Sequence, residues 1–232
     1  MSKPDLRISV ISDVHVTHFG AGNKNLKNAL AFHTKKLPKS DMFLFLGDIA
    51  YQLDSENDSV CKNIYTSNYD LILKTVSEEL AEDTPRLFVL GNHEYPQNNT
   101  DPILTKKALD TWVSKLGQPP MEHVTLNGFH FIKYPTLSWS LESSFENERW
   151  AMNEINIALS ADPGKPVFFL SHNALHNTVA HSGKEPHTFS EEFRRFLVQH
   201  PSVIHLSGHQ HTHVLDDKAI YQEGFTSISA PV

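Results

Sequence analysis

The sequence predicts an α/β fold in which buried strands alternate with helices. Short apolar runs that are nearly continuous are typical of strands covered on both faces. These runs are Leu6–Ile11, Met42–Leu46, Leu87–Leu90, Val167–Leu170 and Val203–Leu206. Amphipathic stretches separate the early runs, and this order indicates parallel strands with helices outside the sheet. Asn127-Gly128 lies between the segments 123–126 and 129–133, which predicts a hairpin and therefore mixed sheets.

Apolar side chains at helical spacing predict amphipathic helices between the strands. The predicted helices span residues 24–36, 65–81, 103–116, 144–160 and 189–199. Ser143 with Glu146, and Thr188 with Glu191, have the spacing of a capping box. We therefore expect these two pairs to begin the last two helices.

The remaining segments predict a second hairpin and two long loops. Thr212–Leu215 and Ala219–Gln222 flank a short acidic turn and are the candidate strands of that hairpin. The polar segments Gln52–Asn68 and Asn173–Thr188 each follow a predicted strand. Loops of this length are often functional, although a plain solvated connector is an equal alternative.

Composition indicates a folded, globular protein. Of the 232 residues, 39% are apolar and 20% are charged, and we expect a single domain over residues 1–232. The chain stops at Val232 soon after a predicted strand, which leaves open that a C-terminal segment is missing. No run approaches ~20 apolar residues and no secretory signal is visible, so we expect no membrane span and a cytoplasmic location.

The charge and the cysteine count exclude two further classes. The formal net charge of -7 argues against binding of extended nucleic acid, which needs clustered Lys and Arg. A single nucleotide is not excluded, because bound cations would reverse the local charge. The single cysteine, Cys61, rules out an intramolecular disulfide. The oligomeric state stays open.

Metal-ligand residues follow each of the five apolar runs. They lie in Asp13-Val14-His15, Gly47-Asp48, Gly91-Asn92-His93-Glu94, Ser171-His172 and Gly208-His209-Gln210-His211. Oxygen and imidazole donors without a thiolate favour two adjacent transition-metal ions over a structural zinc. In an extended chain, residues two apart point the same way, so Asp13 and His15 are expected to approach one ion together. His209 and His211 share this spacing.

In this order and context, the five segments resemble the motifs of the calcineurin-like metallophosphoesterase family. The resemblance implies a four-layer α-β-β-α sandwich of two mixed sheets flanked by helices. It also implies a dinuclear metal site of Mn, Fe or Zn at the carboxyl ends of the strands. The implied ligands of the first ion are Asp13, His15, Asp48 and His211. Those of the second ion are Asp48, Asn92, His172 and His209.

The same resemblance implies hydrolysis of phosphate esters. Two ions ~3.5–4 Å apart would generate hydroxide for in-line attack on phosphorus, with His93 as the family's match for the general acid. Glu94 would either orient His93 or have a packing or capping role. A phosphodiesterase acting on small substrates such as cyclic nucleotides is the predicted function. The alternatives are a phosphomonoesterase, of the acid phosphatase or nucleotidase type, and a non-catalytic scaffold of the same fold.

One residue departs from the family pattern. Gly47-Asp48-Ile49-Ala50-Tyr51 is similar to the Gly-Asp-x-x-Tyr motif of purple acid phosphatases, in which the tyrosine binds ferric iron. Those enzymes lack the histidine that His15 supplies, so we expect His15 to be the ligand and Tyr51 to pack nearby. Other residues have open roles as substrate contacts or ordinary surface and core residues. They are His176, His181 and Trp139.

Overall fold

The structure is a computed structural model. It describes residues 5–17, 20–51, 58–97, 101–140, 144–184, 188–213 and 215–231, of which residues 58–66 are described by backbone alone. The strands are β1 (Ile8–Ile11), β2 (Met42–Leu46), β3 (Arg86–Val89), β4 (Glu122–Leu126), β5 (Phe129–Lys133), β6 (Val167–Leu170), β7 (Val203–Thr212), β8 (Ile220–Gln222) and β9 (Thr226–Pro231). The helices are α1 (Gly22–Lys35), α2 (Asp58–Glu79), α3 (Pro102–Leu116), α4 (Phe145–Ala161) and α5 (Glu191–Val198).

The strands form two sheets, as the fold class requires. Within the described residues, the smaller sheet has the order β1-β2-β3 and the larger has the order β4-β5-β6-β7-β9-β8. The smaller sheet pairs in parallel throughout. The larger sheet is mixed, because the β4–β5 and β8–β9 pairs are antiparallel. The predicted α/β fold is therefore confirmed, and the mixed pairing expected of both sheets occurs in the larger one.

Strand β2 shows why its sequence is a continuous apolar run. All five of its residues are buried. Leu44 and Leu46 point into a core shared with strands of the larger sheet, including Phe131 and Leu170. Phe43 and Phe45 point the other way, into a core shared with α1, α2 and α3. Both faces of the sheet are therefore covered.

Helices α4 and α5 cover the outer face of the larger sheet. Ile155 of α4 and Phe193 of α5 are fully buried against Phe169 of β6 and its neighbours. With the helices of the smaller sheet, this gives the order helix, sheet, sheet, helix. The four-layer α-β-β-α sandwich is thus confirmed. None of the helices in the described ranges is long and apolar enough to cross a membrane.

The first predicted hairpin is confirmed, and the second is wrong. β4 and β5 pair across Asn127 and Gly128, whose φ angles of 54° and 73° suit a tight hairpin turn. By contrast, β8 pairs with β9, and β7 runs on to Thr212 in parallel with β9. The side chain of Asp216 accepts a hydrogen bond from the Lys218 N–H at 2.9 Å, which forms a 3-10 turn in place of a hairpin loop.

Two helix starts differ from the prediction. The side chain of Ser144 caps α4, whereas the predicted Ser143 lies outside the described residues. Ser190 caps α5, so the prediction of Thr188 as the cap is wrong by two residues. Both observed caps are serines, which satisfy an unpaired N–H of the first turn.

Of the two predicted loops, one is largely helical and the other is a packed loop. Helix α2 begins at Asp58, so much of the segment Gln52–Asn68 is helical, while residues 52–57 lie outside the described ranges. The helical spacing of Val60 and Ile64 was obscured by polar residues between them. The described part of Asn173–Thr188 has no helix or strand. It buries Leu175 and Val179, so it is a packed loop and not a solvated connector.

Candidate metal centre

All seven predicted ligands lie at one edge of the two sheets, where parallel strands end. Asp13, Asp48 and Asn92 follow β1, β2 and β3, and His172 follows β6. His209 and His211 lie in the last part of β7. The backbone N–H of His209 donates to Asp13 Oδ2 at 3.0 Å, which joins the two sheets at this edge.

The donor atoms form two adjacent clusters. In the first, Nε2 of His211 lies 3.3 Å from Oδ1 of Asp13 and 3.4 Å from Nε2 of His15. In the second, Nε2 of His172 lies 3.2 Å from Oδ2 of Asp48 and 3.1 Å from Oδ1 of Asn92. Donors that share one ion at ~2.1 Å lie about 3.0–3.4 Å apart. The spacings therefore fit an ion in each cluster.

Asp48 links the two clusters. Among the described residues, three groups of donors lie close enough to hold an ion. They are Asp13 with His15 and His211, Asp48 with His172 and His209, and His15 with Asp48 and His93. The third group shares His15 with the first group and Asp48 with the second. The residues present therefore fit a dinuclear site with Asp48 between the ions.

The backbone at this edge is not extended, so one step of the sequence reasoning is wrong. Five predicted ligands have left-handed φ angles. They are Asp13 (54°), His15 (47°), Asp48 (51°), His209 (65°) and His211 (46°). A non-glycine residue in this region costs about 1–3 kcal/mol, which the surrounding structure must offset. Asp13 and His15 therefore reach one cluster through tight kinks and not through strand alternation, whereas His209 and His211 belong to different clusters.

Hydrogen bonds and glycines hold these kinks in place. The N–H of His15 donates to Asp48 O at 2.9 Å, and the N–H of Gly208 donates to His172 O at 2.9 Å. Gly47 has φ of +88°, and a Cβ there would lie 2.5 Å from Nδ1 of His172. Gly47 therefore permits a close approach of the backbone to the His172 ring.

His172 is oriented for a metal ion by a hydrogen bond from its other nitrogen. Nδ1 of His172 lies 2.7 Å from Leu46 O and must donate to it, so Nε2 faces Asp48 and Asn92. Burial lowers the pKa of His172, but the nearby Asp48 outweighs burial and raises it to about 10. Burial raises the pKa of Asp48, but His172 outweighs it and holds that pKa below the ordinary value. In His209, burial lowers the pKa to about 4, which leaves a neutral imidazole.

Glu94 joins the loops that follow β2 and β3. Its Oε2 accepts hydrogen bonds from the N–H groups of Asp48 at 3.0 Å and Gly91 at 2.7 Å. Its Oε1 accepts from the N–H of Ala50 at 3.0 Å. Of the two roles left open for Glu94, these contacts fit backbone capping. The carboxylate fixes the positions from which two predicted ligands project.

His93 lies beside the shared carboxylate, among aromatic rings. The backbone N–H of His93 donates to Asp48 Oδ1 at 2.8 Å, and the ring nitrogen Nε2 lies 3.9 Å from Asp48 Oδ2. Its side chain is 20% exposed, so the imidazole can reach a bound substrate. Tyr51 stacks on the His93 ring and donates its hydroxyl to Gln97 at 3.2 Å. Tyr51 therefore packs near the cluster, as expected.

Sequence reasoning missed one residue beneath the cluster. His205 is fully buried, with its Nε2 2.8 Å from Ser171 Oγ and its Nδ1 2.9 Å from Ser227 Oγ. Ser171 donates its hydroxyl to Asn173 O at 2.7 Å, which shapes the backbone on both sides of His172. Burial lowers the pKa of His205 to about 3, so it stays neutral. No sequence signal distinguishes it from other core histidines.

The two loop histidines lie in different surroundings. His176 is half-buried, and its carbonyl accepts a hydrogen bond from Arg194 at 2.8 Å. His181 is exposed and has a left-handed φ of 67°. Their contact with a substrate stays a prediction.

Comparison with known proteins decides the family. A family model described as calcineurin-like phosphoesterase matches residues 6–213. The chain belongs to this family. A search of curated proteins gives no match to this phosphoesterase.

A solved structure with a similar fold is a purple acid phosphatase. It is PPD1, isolated from seeds of yellow lupin (Lupinus luteus). The TM-score is 0.66 at 14% sequence identity, with 97% of the phosphoesterase and 43% of the lupin chain covered. The phosphoesterase thus spans less than half of that chain. At this identity the likeness shows a shared fold alone.

The pKa of His172 leads to a first prediction for the phosphoesterase. With a pKa of about 10, metal-free His172 is protonated at pH 7, and an ion at Nε2 must displace that proton. We expect about one proton to be released from His172 at pH 7, and the apparent metal affinity to rise with pH until about 10. Calorimetric titration with Mn²⁺ in buffers of different ionisation enthalpy measures this release. Binding at pH 7 without proton release would contradict it.

The contacts of Glu94 lead to a second prediction. Glu94→Ala leaves three buried N–H groups without their acceptor. We expect the free energy of unfolding to fall by about 3–5 kcal/mol. In the folded variant the three N–H groups would bond neither to a carboxylate nor to water, whereas in the unfolded chain they bond to water. Urea unfolding measures the change. Glu223→Ala, at an exposed position between β8 and β9, is the control and should stay within about 0.5 kcal/mol. A loss below 1 kcal/mol for Glu94→Ala would show that these bonds do not hold the loops.

Proposed function

We propose that this protein is a metal-dependent hydrolase of phosphate esters, and specifically a phosphodiesterase that acts on small substrates such as cyclic nucleotides. The observation that carries this proposal is the charge around the two clusters. In the described part of the chain, the hydrogen-bond and ion-pair partners of the predicted ligands are backbone, Ser, Asn, His, Asp and Glu groups, without Lys or Arg. The protein itself therefore brings little fixed positive charge to a bound phosphate.

Little fixed positive charge favours a diester over a monoester. A phosphate monoester carries about −1.5 to −2 charges at pH 7, whereas a diester carries a single negative charge. Ions bound in the two clusters would offset a single charge more completely than a double one. The net charge of -7 also disfavours extended nucleic acid, which leaves small diesters as the substrate class.

We assign the seven predicted ligands as the resemblance implied. Asp13, His15 and His211 would hold the first ion, Asn92, His172 and His209 the second, and Asp48 both. Bound Mn, Fe or Zn supplies an activated water and offsets negative charge on the phosphoryl oxygens. Asp48 would be the ligand that both ions share.

His93 is the proposed general acid. Its imidazole faces the cluster from the side of the shared carboxylate and is open to solvent in part. From there it would donate a proton to the departing alkoxide. Neither a nucleic-acid nor a membrane partner is part of the proposal, and we propose a cytoplasmic location.

Two chromogenic esters test the substrate preference directly. Hydrolysis of bis(p-nitrophenyl) phosphate is compared with that of p-nitrophenyl phosphate, with manganese added or chelated. We expect a higher kcat/KM for the diester and loss of both activities with chelation. Cyclic nucleotides are then compared with their monoester products in the same assay. Faster cleavage of the monoesters would favour the phosphomonoesterase alternative, in line with the Gly-Asp-x-x-Tyr motif ending at Tyr51.

A further inference from the structure

Within the described part of the chain, three aromatic rings surround the His93 imidazole. The ring centroids of Tyr51, Trp139 and His15 each lie 4.7 Å from that of His93. Tyr51 stacks on the ring at an interplanar angle of 25°. Trp139 and His15 meet it almost perpendicularly, at 88° and 86°. Because His15 is a predicted ligand, Tyr51 and Trp139 are the two rings whose role is still open.

Hydrogen bonds within the described residues do not orient the His93 ring. Nδ1 of His93 is buried without a hydrogen-bond partner among them. Nε2 lies 3.9 Å from Asp48 Oδ2, which is too long for a hydrogen bond. The backbone is held by its N–H bond to Asp48 at 2.8 Å, but the torsion that turns a histidine ring is intrinsically soft. Some other contact must fix the plane of the ring.

Tyr51 is held firmly enough to provide that contact. Its backbone N–H donates to Val16 O at 3.2 Å, and its carbonyl accepts from Nδ2 of Asn68 at 3.1 Å. Its hydroxyl donates to Gln97 at 3.2 Å. The side chain is thus fixed at both ends, and its ring is a rigid platform against the face of His93.

Trp139 limits rotation from a second direction. It is partly buried and packs against the core of the smaller sheet. The residues on either side form a tight turn, with Ser138 Oγ 2.8 Å from Ser140 Oγ. An indole edge perpendicular to the imidazole would block the ring from turning out of the stack. Packed aromatic rings have such preferred geometries and resist departure from them.

We propose that Tyr51 and Trp139 are positioning residues that fix the ring plane of His93 through aromatic packing. Tyr51 has the larger effect, because it covers the face of the ring. The proposal rests on the proposed function, in which His93 delivers a proton to the leaving group. It gives Tyr51 a role other than binding a metal ion.

The first experiment compares Tyr51→Leu with Tyr51→Phe across diesters whose leaving groups range from p-nitrophenolate to simple alkoxides. Phenylalanine keeps the stack and loses the hydroxyl, whereas leucine loses the stack. We expect Tyr51→Leu to lose about 100-fold in kcat with poor leaving groups, the scale of a 1 Å misplacement. It should lose less than about 3-fold with good ones, and Tyr51→Phe should stay within about 3-fold throughout. Metal content should be unchanged in both variants.

Two further comparisons identify the route of the effect. In a His93→Ala background, Tyr51→Leu should cause no further loss, because the residue it positions is gone. Trp139→Leu should act in the same direction with a smaller loss. The control is Tyr221→Leu, which removes a tyrosine ring from strand β8 at the outer edge of the larger sheet, and its leaving-group dependence should match the wild type.

A crystal structure of Tyr51→Leu provides a readout that does not depend on activity. We expect the His93 ring to be rotated or to occupy several orientations, in contrast to one orientation in the wild type. A His93 ring unchanged in Tyr51→Leu would overturn the proposal. An equal loss of kcat with all leaving groups would also overturn it, as would a loss in Tyr51→Phe as large as that in Tyr51→Leu. If His93→Ala left the leaving-group dependence unchanged, the acid role would fail, while the ring orientation would still decide whether Tyr51 positions it.

Discussion

Asp48→Asn should weaken metal binding at both clusters and lower turnover by about 10³-fold, the scale of losing a principal electrostatic contribution to the transition state. The substitution keeps the shape of the side chain. Asparagine also tolerates the left-handed φ of 51° at this position, so the backbone should be preserved. It removes the negative charge that lies 3.2 Å from His172 and between the two clusters. Metal analysis of the purified variant and steady-state kinetics measure the two effects.

Asp13→Asn is a matched control for this prediction. Asp13 is also buried, has a similar φ of 54°, and belongs to the first cluster alone. We expect Asp13→Asn to reduce occupancy of one ion, whereas Asp48→Asn reduces both. Two ions at wild-type occupancy in Asp48→Asn would refute the bridging role of this carboxylate.

The second large effect is expected for His93→Ala. This variant should keep both ions, because the proposed ligands are intact. Turnover should fall by about 10²–10⁴-fold for esters with poor leaving groups, which need a proton as the bond to phosphorus breaks. Good leaving groups such as p-nitrophenolate need little help and should lose much less. The measurement is kcat across a series of leaving groups, together with metal content.

A matched histidine variant separates this effect from a loss of turnover that any histidine substitution would cause. His200 lies before the amino end of β7, at the opposite end of that strand from the cluster, and hydrogen-bonds to Phe196 O at 2.7 Å. His200→Ala should leave the leaving-group dependence unchanged. An equal loss for good and poor leaving groups in His93→Ala would mean that His93 positions the substrate and does not donate a proton.

Much of the fold could be predicted because its signals are local. The run Met42–Leu46 matches β2 without error, since both faces of this strand are buried and every residue is apolar. Asn127-Gly128 fixed the β4–β5 hairpin through its φ preferences. The β8–β9 pair was missed because its pairing depends on β7 continuing to Thr212, which is a tertiary effect. The four-layer arrangement came from the family resemblance, since periodicity does not specify how two sheets stack.

The positions of the candidate ligands at strand ends could be predicted, but the way they converge could not. All seven candidate ligands were placed through the five apolar runs that precede them, a signal visible in the sequence. The left-handed kinks at Asp13 and His15 are held by long-range hydrogen bonds such as that from His15 N–H to Asp48 O. Glu94 was assigned two alternative roles, because its partners at Ala50 and Gly91 become neighbours only in the folded chain.

Anomalous diffraction from crystals of the wild-type protein grown with manganese tests the central claim most directly. We expect two anomalous peaks ~3.5–4 Å apart at the edge of the two sheets, with the Asp48 carboxylate between them. Asp13, His15 and His211 should surround one peak, and Asn92, His172 and His209 the other. A single peak elsewhere, or these side chains bound to no ion at saturating manganese, would contradict the account.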